Sequence, residues 1–302
     1  MVLAKSIYLT LKSEWKPSFN FDFSILYEIY FLVVINILDA LIYWLTSWLD
    51  IFFINKIFGI YYGGLYKTSQ TLVSSITSLI TAGITSVIFS SLAYHRNDYK
   101  KFVELFYFFQ KGLSILVIPL GIGLYLYKET IVLLLLGNKW ILASNMVGVW
   151  GVVISIISVY GTLSREAYRA VGESKISFYI QLLHLLFIIP ILIWASKMEY
   201  NKFILIRSLA FLQIIFLHSI FMKKLFNISF FKMLKNTYYP IVCSVIMGTI
   251  AIFLKRLYTT TWTQIISIFI CIIIYLICIL VNKKYRILIF SFMIQYKKKE
   301  FL

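Results

Sequence analysis

The sequence predicts an all-α, polytopic membrane protein with about eight transmembrane helices. Of its 302 residues, 61% are hydrophobic and only 14% are charged, and the mean hydropathy is +0.88. A soluble domain is ordinarily about 45–50% apolar and about 25% charged, so a water-soluble enzyme, a disordered chain and a disulfide scaffold are excluded. Cys243, Cys271 and Cys278 lie in apolar runs without metal-binding spacing. We therefore expect neither a cofactor nor a metal site.

Eight apolar segments are long enough, or nearly so, to cross a membrane. A helix needs about 20 apolar residues to cross about 30 Å of hydrocarbon. The predicted spans are 25–54, 69–92, 103–126, 142–163, 176–196, 203–222, 239–255 and 262–282. The first is longer than a crossing requires, which indicates tilt or an extension beyond the bilayer. A shorter run, 130–136, is expected to be re-entrant or interfacial rather than a ninth span.

Lysine and arginine are distributed unequally between the two sides of these spans. The two terminal segments and the loops near 94–102, 164–175 and 223–238 hold 19 of them, and the loops on the other side hold 8. Cytoplasmic loops are enriched in these residues, so both termini are predicted to be cytoplasmic. The net charge of +17 then reflects membrane sidedness, and no nucleic-acid partner is expected. The basic tail either binds anionic lipid or fixes the topology.

The first span carries a polar stripe at spacings of three and four residues, which places its members on one helix face. They are Asn36, Asp39, Tyr43, Thr46, Ser47 and Asp50. Asp39 falls near the middle of the span, where an ionised side chain costs about 2.5–3.5 kcal/mol. Two interpretations stay open. The stripe lines a cavity with Asp39 as a proton or cation site, or Asp39 is a structural residue, neutral or paired with a basic residue on another helix.

The next two spans carry hydroxyls and a lysine. Hydroxyls recur at helical spacing at Thr71, Ser74, Ser78, Thr81 and Thr85. Because hydroxyls bond to carbonyls of the preceding turn, we expect this stripe to pack against a helix rather than to line a wet path for sugars. Lys111 lies about two turns below the predicted cytoplasmic end, where it either snorkels or faces an anionic substrate. Pro119 predicts a kink.

The later spans contain fewer ionisable residues. A series of small residues in the fourth span predicts close helix packing; it comprises Ser144, Gly148, Gly151, Ser155, Ser158 and Thr162. His184 and His218 are expected to be paired interior residues, and Arg207 is a lone intramembrane cation. The last two spans are nearly free of ionisable residues and are expected to be peripheral.

Motifs for enzyme chemistry are missing from the sequence. It contains no H-E-x-x-H, P-loop, G-x-S-x-G or paired-glycine dinucleotide motif. A membrane sugar transferase or polymerase would need charged residues on a sizeable outer loop. The only long outward connection that the spans predict, 51–68, offers Lys56 and Lys67 but no carboxylate. Transport is therefore favoured over catalysis.

A series of short motifs resembles the bacterial polysaccharide-export flippases of the O-antigen and capsule (Wzx) type, within the multidrug/oligosaccharidyl-lipid/polysaccharide exporter superfamily. In chain order they are Trp15-Lys16-Pro17, Leu49-Asp50, Gly64-Leu65-Tyr66, Ile118-Pro119-Leu120-Gly121, Leu136-Gly137-Asn138-Lys139-Trp140 and Ala170-Val171-Gly172. Such transporters have two repeat-related lobes with the substrate between them. The resemblance implies that this chain is the C-terminal lobe, either a truncated or split product or one half of a two-chain transporter.

The resemblance also implies an organisation for the chain. Residues 1–24 form a cytoplasmic segment, 25–222 a six-span transporter lobe, 223–282 a basic loop with a peripheral two-span pair, and 283–302 a basic cytoplasmic tail. The implied partners are a lipid-linked oligosaccharide, membrane lipid, and a separate N-terminal lobe or polysaccharide assembly proteins.

The function implied by the resemblance is to flip a polyprenyl-diphosphate-linked oligosaccharide, an O-antigen or capsule repeat unit, across the bacterial inner membrane. The candidate cavity residues are Asn36, Asp39, Tyr43, Asp50, Lys111, Arg165, Arg169 and Arg207. Asp39 is the candidate for ion or proton coupling, and the four cations are candidates for the diphosphate. Positive-inside anchoring is the alternative for Arg165 and Arg169. The rival functions are an inactive remnant or structural subunit of a polysaccharide assembly complex and, more weakly, a membrane transferase or polymerase.

Overall fold

The structure is a computed structural model that describes residues 10–11, 23–258 and 260–289. Throughout this part of the chain the regular elements are helices, and no strand occurs. Eight helical segments are long and apolar enough to cross a membrane. The predicted multi-pass, all-α fold is therefore confirmed. The motif at 15–17 and the lysines at 297–299 lie outside the described residues.

The chain begins with two long helices, α1 (Phe23–Phe58) and α2 (Ile60–Tyr94), which meet at Gly59. Gly59 has a φ of +94°, a backbone conformation that glycine adopts without steric cost. The prediction of a long outer connection over 51–68 was wrong, because helical hydrogen bonding continues through its polar residues. With 36 residues, α1 is about 54 Å long and extends beyond the hydrocarbon layer.

The third and fourth spans follow. Helix α3 (Tyr99–Leu126) is succeeded by the short α4 (Lys128–Leu136), whose 9 residues are too few to cross a membrane. The fourth span joins several pieces, listed in order: a 3₁₀ turn (Asn138–Ala143), α5 (Ser144–Ile157), a π turn (Ser158–Thr162) and α6 (Leu163–Ala170). The run 130–136 is thus not a ninth span.

Four further spans complete the described bundle. They are formed by α7 (Lys175–Ala195), by α8 (Tyr200–Phe211) with α9 (Gln213–Phe226), by α10 (Phe230–Leu257) and by α11 (Thr261–Val281). Residues 283–289 are again helical. Helix α10 packs along α3, and α11 packs mainly on α10. A hydrogen bond of 2.7 Å from the Tyr275 hydroxyl to the Ile115 carbonyl joins α11 to α3.

The small residues of the fourth span lie where α5 packs against α3. A Cβ atom on Gly151 would come within 2.7 Å of the Leu124 Cβ, so the two helices approach closely only because the side chain is absent. Ser155 is buried beside this contact and donates to the Gly151 carbonyl over 2.7 Å. The predicted close packing of this span is therefore confirmed.

The hydroxyl stripe of α2 behaves differently. Thr71, Ser74, Ser75 and Ser78 are exposed, and Ser78 donates to the Ser75 carbonyl of its own helix over 2.9 Å. The expectation that this stripe packs against another helix was therefore wrong for Thr71, Ser74 and Ser78, whereas Thr81 and Thr85 of the same stripe are half-buried. The exposed hydroxyls instead border an open cavity beside α1.

Candidate functional site

The polar stripe of α1 forms two buried ion pairs. Asp39 and Asp50 are separated by eleven residues, so they lie on the same helix face about 16 Å apart along the axis. Both carboxylates are buried, and each pairs with an arginine from another helix. For Asp39, the geometry therefore agrees with the interpretation in which a basic residue on another helix is its partner.

The pair between Asp50 and Arg207 is fully enclosed. Arg207 Nε donates to Asp50 Oδ1 over 2.6 Å, and the Tyr66 hydroxyl donates to Asp50 Oδ2 over 2.7 Å. The guanidinium also lies 5.9 Å from the Trp150 ring centroid and 5.3 Å from that of Phe211. Both carboxylate oxygens are thus bonded, as a charge in a medium of low dielectric constant requires. Arg207 is therefore not the lone cation that the sequence indicated.

The turn at Gly59 explains how Tyr66 reaches Asp50. Asp50 lies nine residues before this glycine and Tyr66 seven residues after it, so the tight antiparallel connection sets them at similar depth on facing helices. Gln70, one turn further along α2, donates to the Tyr66 hydroxyl over 3.2 Å. Helices α1 and α2 therefore supply the Asp50 carboxylate and the Tyr66 hydroxyl that holds this carboxylate in place.

The pair between Asp39 and Arg165 is more open. Arg165 Nη2 bonds to Asp39 Oδ2, and the arginine side chain is 38% exposed. Asp39 Oδ1 is buried and has no hydrogen-bond partner among the described residues. The π turn Ser158–Thr162 lies immediately before the helix that carries Arg165. Such turns shift the register of the following side chains and are frequent at functional sites.

A third ion pair lies next to the Asp39 site. Arg169 Nη1 donates to both oxygens of Glu166, over 2.8 and 3.1 Å, and its guanidinium lies 5.0 Å from the Phe89 ring centroid. Arg169 is therefore partly neutralised on its own helix, whereas the carboxylate partner of Arg165 lies on α1.

Two adjoining cavities connect these pairs. A cavity of about 520 Å³ lies between α1, α2, α5 and α8 beside Asp50 and Arg207. A smaller one of about 260 Å³ lies beside Arg165 and His218. Both are lined by Tyr43, Ile154, Gln181 and Phe211. Tyr43, Thr46, Ser47 and Asp50 of the predicted stripe line the larger cavity, whereas Asn36 and Asp39 line neither.

Not all of the predicted site residues meet there. Tyr43 lines both cavities, and Asn36 is exposed one turn before Asp39. Lys111 lines neither of them; it is half-buried and close enough to Lys284 for the two charges to interact. Its role in binding substrate stays a prediction.

Several lining residues were missed by the sequence reasoning. Among them are Trp44, Trp48, Lys67, Trp150 and Gln181. Tryptophans in apolar segments give no sign of lining a cavity, and the lysine had been counted only as a charge outside the membrane. Tyr66 belongs to the Gly-x-Tyr motif, which was the available signal for its importance.

The two intramembrane histidines differ in their surroundings. His184 Nδ1 lies 3.1 Å from Gln213 Oε1, which agrees with a paired interior residue. His218 stacks on Tyr168 with ring centroids 5.8 Å apart, and its Nδ1 has no hydrogen-bond partner in the part of the chain that the structure describes. Within the same part, no group of three or more His, Cys, Asp or Glu side chains is placed to hold a metal ion.

Parts of this chain are similar in sequence or in fold to known proteins. A family model described as polysaccharide biosynthesis protein matches residues 2–145. The teichuronic acid biosynthesis protein TuaB of Bacillus subtilis (strain 168) is 23% identical over 168 residues, which are 56% of this chain and 35% of that protein. The chain therefore spans about a third of the length of this curated relative.

The fold resembles that of a solved transporter. The lipid II flippase MurJ in an inward closed conformation aligns with a TM-score of 0.71 and 17% sequence identity, over 93% of this chain and 59% of that one. At this identity the likeness concerns the fold. The family model and the curated relative that match in sequence are both described as biosynthesis proteins, for polysaccharide and for teichuronic acid. The resemblance predicted from the motifs is confirmed for polysaccharide biosynthesis by the sequence matches and for a flippase fold by the structural likeness.

Proposed function

We propose that this chain is a flippase-type transporter lobe that moves a polyprenyl-diphosphate-linked oligosaccharide across the bacterial cytoplasmic membrane during polysaccharide biosynthesis. The observation that carries the proposal is the pair of polar cavities, with buried ion pairs, inside a bundle that has the fold of a lipid flippase. The glycan is a repeat unit of an O-antigen, a capsule or a related surface polymer. No catalytic role is proposed.

The physical task of a flippase accounts for a polar interior in a membrane bundle. A diphosphate and a set of sugar hydroxyls cannot cross hydrocarbon unless protein groups replace their water. From Tyr43 to Asp50, about 10 Å of α1 and roughly a third of the hydrocarbon thickness, the cavities supply charged groups, amides and hydroxyls. Such an interior favours transport over a purely structural role.

The two ion pairs lie at different depths under the proposed orientation, in which both termini are cytoplasmic. Asp50 is eight residues from the outer end of α1, and Arg165 is five residues from the inner end of the fourth span. The Asp39–Arg165 pair therefore faces the cytoplasmic half, where a substrate enters. The Asp50–Arg207 pair belongs to the outer half.

The half-exposed Arg165 is the proposed contact for the diphosphate. Guanidinium groups bind phosphate oxygens through paired charge-assisted hydrogen bonds. When Arg165 turns to the substrate, Asp39 loses its only bonded partner among the described residues. A proton or a cation must then neutralise Asp39 in its buried position. This exchange is the proposed coupling step.

A second lobe completes the proposed transporter. The solved flippase is longer than this chain, which covers 59% of it. Substrates of two-lobe exporters lie between the lobes. We propose that the exposed hydroxyls of α2 and the exposed aromatic residues of α1 face that second lobe, with the substrate in the cavity between them.

Complementation tests the proposal. The chain is expressed with and without a separately encoded N-terminal lobe in a strain that lacks its own polysaccharide flippase, and surface polysaccharide is quantified. We expect export only with both lobes. Failure in both arms, with normal amounts of protein in the membrane, would contradict transport and support an inactive or structural subunit.

The Asp39→Asn variant tests the coupling role in the same assay. Asparagine preserves size but removes the ionisable group, so export should fall at least about tenfold, comparable to the loss of one charged interaction. Ile277→Ala, on the exposed face of α11 and outside both cavities, is the control and should export normally. Unchanged export by Asp39→Asn would remove the residue from the mechanism.

A further inference from the structure

The larger cavity has an aromatic wall. Trp44 and Trp48 are 56% and 50% exposed, and their ring centroids are 5.8 Å apart at an interplanar angle of 48°. Both line the cavity of about 520 Å³. This volume lies in the range of about 300–1,000 Å³ that is usual for sites of small ligands.

The depth of these tryptophans argues against a role as membrane anchors. Interfacial tryptophans lie at the ends of a span, at the level of the headgroups. Trp44 and Trp48 instead lie fourteen and ten residues before the end of α1 at Phe58, about 21 and 15 Å along the helix. Their exposed faces at this depth are available to a ligand in the cavity. A flat aromatic face suits the C–H face of a sugar ring.

Two residues that line the cavity carry buried hydrogen-bond donors without a partner in the described part of the chain. Arg207 and Trp150 line the cavity, yet they are only 2% and 3% exposed. Arg207 Nη1 and Trp150 Nε1 have no hydrogen-bond partner among residues 23–258 and 260–289. A buried polar group left unpaired destabilises the fold, so a partner for it is favourable. Both groups are N–H donors, so what they lack is an acceptor.

The charges around the cavity favour a negatively charged acceptor. Its lining contains two cations, Lys67 and Arg207, and one anion, Asp50. Asp50 already accepts hydrogen bonds on both oxygens, from Arg207 and Tyr66. The net charge of the lining is therefore positive. An anionic group with two oxygens matches both the charge and the two free donors.

The opposite wall suits the hydroxyls of a sugar. Exposed side chains of α2, Thr71, Ser74 and Ser78, line the cavity. The Ser78 proton is donated to the Ser75 carbonyl, so its oxygen is left to accept a hydrogen bond. Gln70 and Gln181 add amide groups to the same lining.

We propose that this cavity is a subsite for a sugar ring that carries an anionic group. The ring lies against Trp44 and Trp48, and the anionic oxygens accept hydrogen bonds from Arg207 Nη1 and Trp150 Nε1. The anionic group is either the carboxylate of an acidic sugar or a phosphate ester attached to the ring. The inference deepens the proposed function and rests on it, since it specifies how the transported saccharide is held.

Binding of small probes to the full chain in lipid nanodiscs tests the subsite. The probes are methyl glucuronide, glucose 1-phosphate and neutral methyl glucoside, and affinities are measured by saturation-transfer difference NMR. We expect at least one charged probe to bind about tenfold more tightly than methyl glucoside, as one charge-assisted hydrogen bond provides. Preference for the glucuronide or for the phosphate identifies the source of the anionic group. Equal affinities for all three, or no binding, would overturn the inference.

Three variants locate the binding in this cavity. Trp44→Ala or Trp48→Ala should weaken all bound probes by about three- to tenfold, because the aromatic wall is lost. Trp150→Phe keeps an aromatic ring but removes the N–H, so it should weaken the charged probes more than the neutral one. Trp194→Ala, on the exposed face of α7 and outside the lining of this cavity, is the control and should bind as the wild type does.

The outcomes separate this inference from the proposed function. If the wild-type chain binds the probes as expected but never supports export, the transport proposal fails and the subsite remains. If export occurs while all three cavity variants bind like the wild type, the subsite is wrong and transport remains. Thermal unfolding of each variant shows whether a loss of binding reflects a loss of fold.

Discussion

The two buried aspartates of α1 lie on the same helix face, and each pairs with an arginine of its own, yet their surroundings differ. Asp50 accepts hydrogen bonds on both oxygens, and its partner Arg207 is enclosed between aromatic rings. Asp39 is bonded on one oxygen to the half-exposed Arg165 and is unpartnered on the other within the described residues. The same pair of residue types thus forms one closed site and one open site.

The difference teaches where the bundle is fixed and where it is able to change. To move Asp50, the protein must break two coupled hydrogen bonds in a medium of low dielectric constant, and a partly satisfied network there is costly. To move Asp39, it must exchange one bond, and the Arg165 side chain is already half-exposed. We therefore interpret the Asp50 site as a fastening between α1, α2 and α8, and the Asp39 site as the responsive one.

The largest expected effect comes from breaking the closed site. Arg207→Met leaves Asp50 charged and without a cation, so the free energy of unfolding should fall by about 3–5 kcal/mol. Thermal or denaturant unfolding of the purified protein in detergent measures this. The double variant Asp50→Leu/Arg207→Met removes both charges and should regain most of the loss. A single variant as stable as the wild type would contradict the description of this pair as a fastening.

Removal of the phenol should have a smaller effect on the same site. Tyr66→Phe deletes one hydrogen bond to a charged acceptor and leaves the pair with Arg207, so the expected loss of unfolding free energy is about 1.5–3 kcal/mol. Tyr61→Phe, an exposed tyrosine of the same helix, is the control and should change stability little. Equal stability of the two variants would mean that the Tyr66 hydroxyl does not order Asp50.

The open site should respond less in stability. Asp39→Asn removes a charge whose partner is half-exposed, and the unfolding free energy should change by less than about 1 kcal/mol. The same substitution at Asp50 should cost more, since Arg207 would be left buried and unpaired. Comparison of the two variants in one unfolding assay tests the contrast directly. A loss at Asp39 equal to that at Asp50 would show that both sites are fastenings.

The sequence predicts this architecture better than it predicts the contacts within it. Eight spans follow from apolar runs, because the length of a crossing helix is fixed by the bilayer. The helical path through 51–68 does not follow, because Asn55, Lys56 and Lys67 have the composition of a loop although their backbone is helical. The composition of a segment indicates whether its side chains tolerate water. It does not indicate where the helical hydrogen bonding of the backbone ends.

The partners across the bundle were even less accessible to sequence reasoning. The spacing of Asp39 and Asp50 predicts a shared face, since it depends on one helix alone. That Arg207 pairs with Asp50, and Arg165 with Asp39, depends on how distant spans pack. The π turn Ser158–Thr162, which precedes Arg165, leaves no recognisable pattern in the sequence. Local geometry was predictable, whereas pairing between spans required the fold.

The smallest expected effect comes from replacing each arginine by lysine. This substitution compares the two sites most sharply, because it changes the shape of the cation and keeps its charge. Lysine keeps the charge but offers a compact ammonium in place of the planar guanidinium. At the open site, Arg165→Lys should change the unfolding free energy by no more than about 0.5 kcal/mol, since water replaces the lost contacts. At the closed site, Arg207→Lys should lower the unfolding free energy by about 1–3 kcal/mol. The ammonium cannot reproduce the hydrogen bond from the guanidinium to Asp50, whose position beside Trp150 and Phe211 is fixed. Unfolding of both variants under the same conditions gives the difference. If the two substitutions lower the unfolding free energy equally, the geometry of the guanidinium does not distinguish the two sites. The sites would then differ only in how deeply their ion pairs are buried.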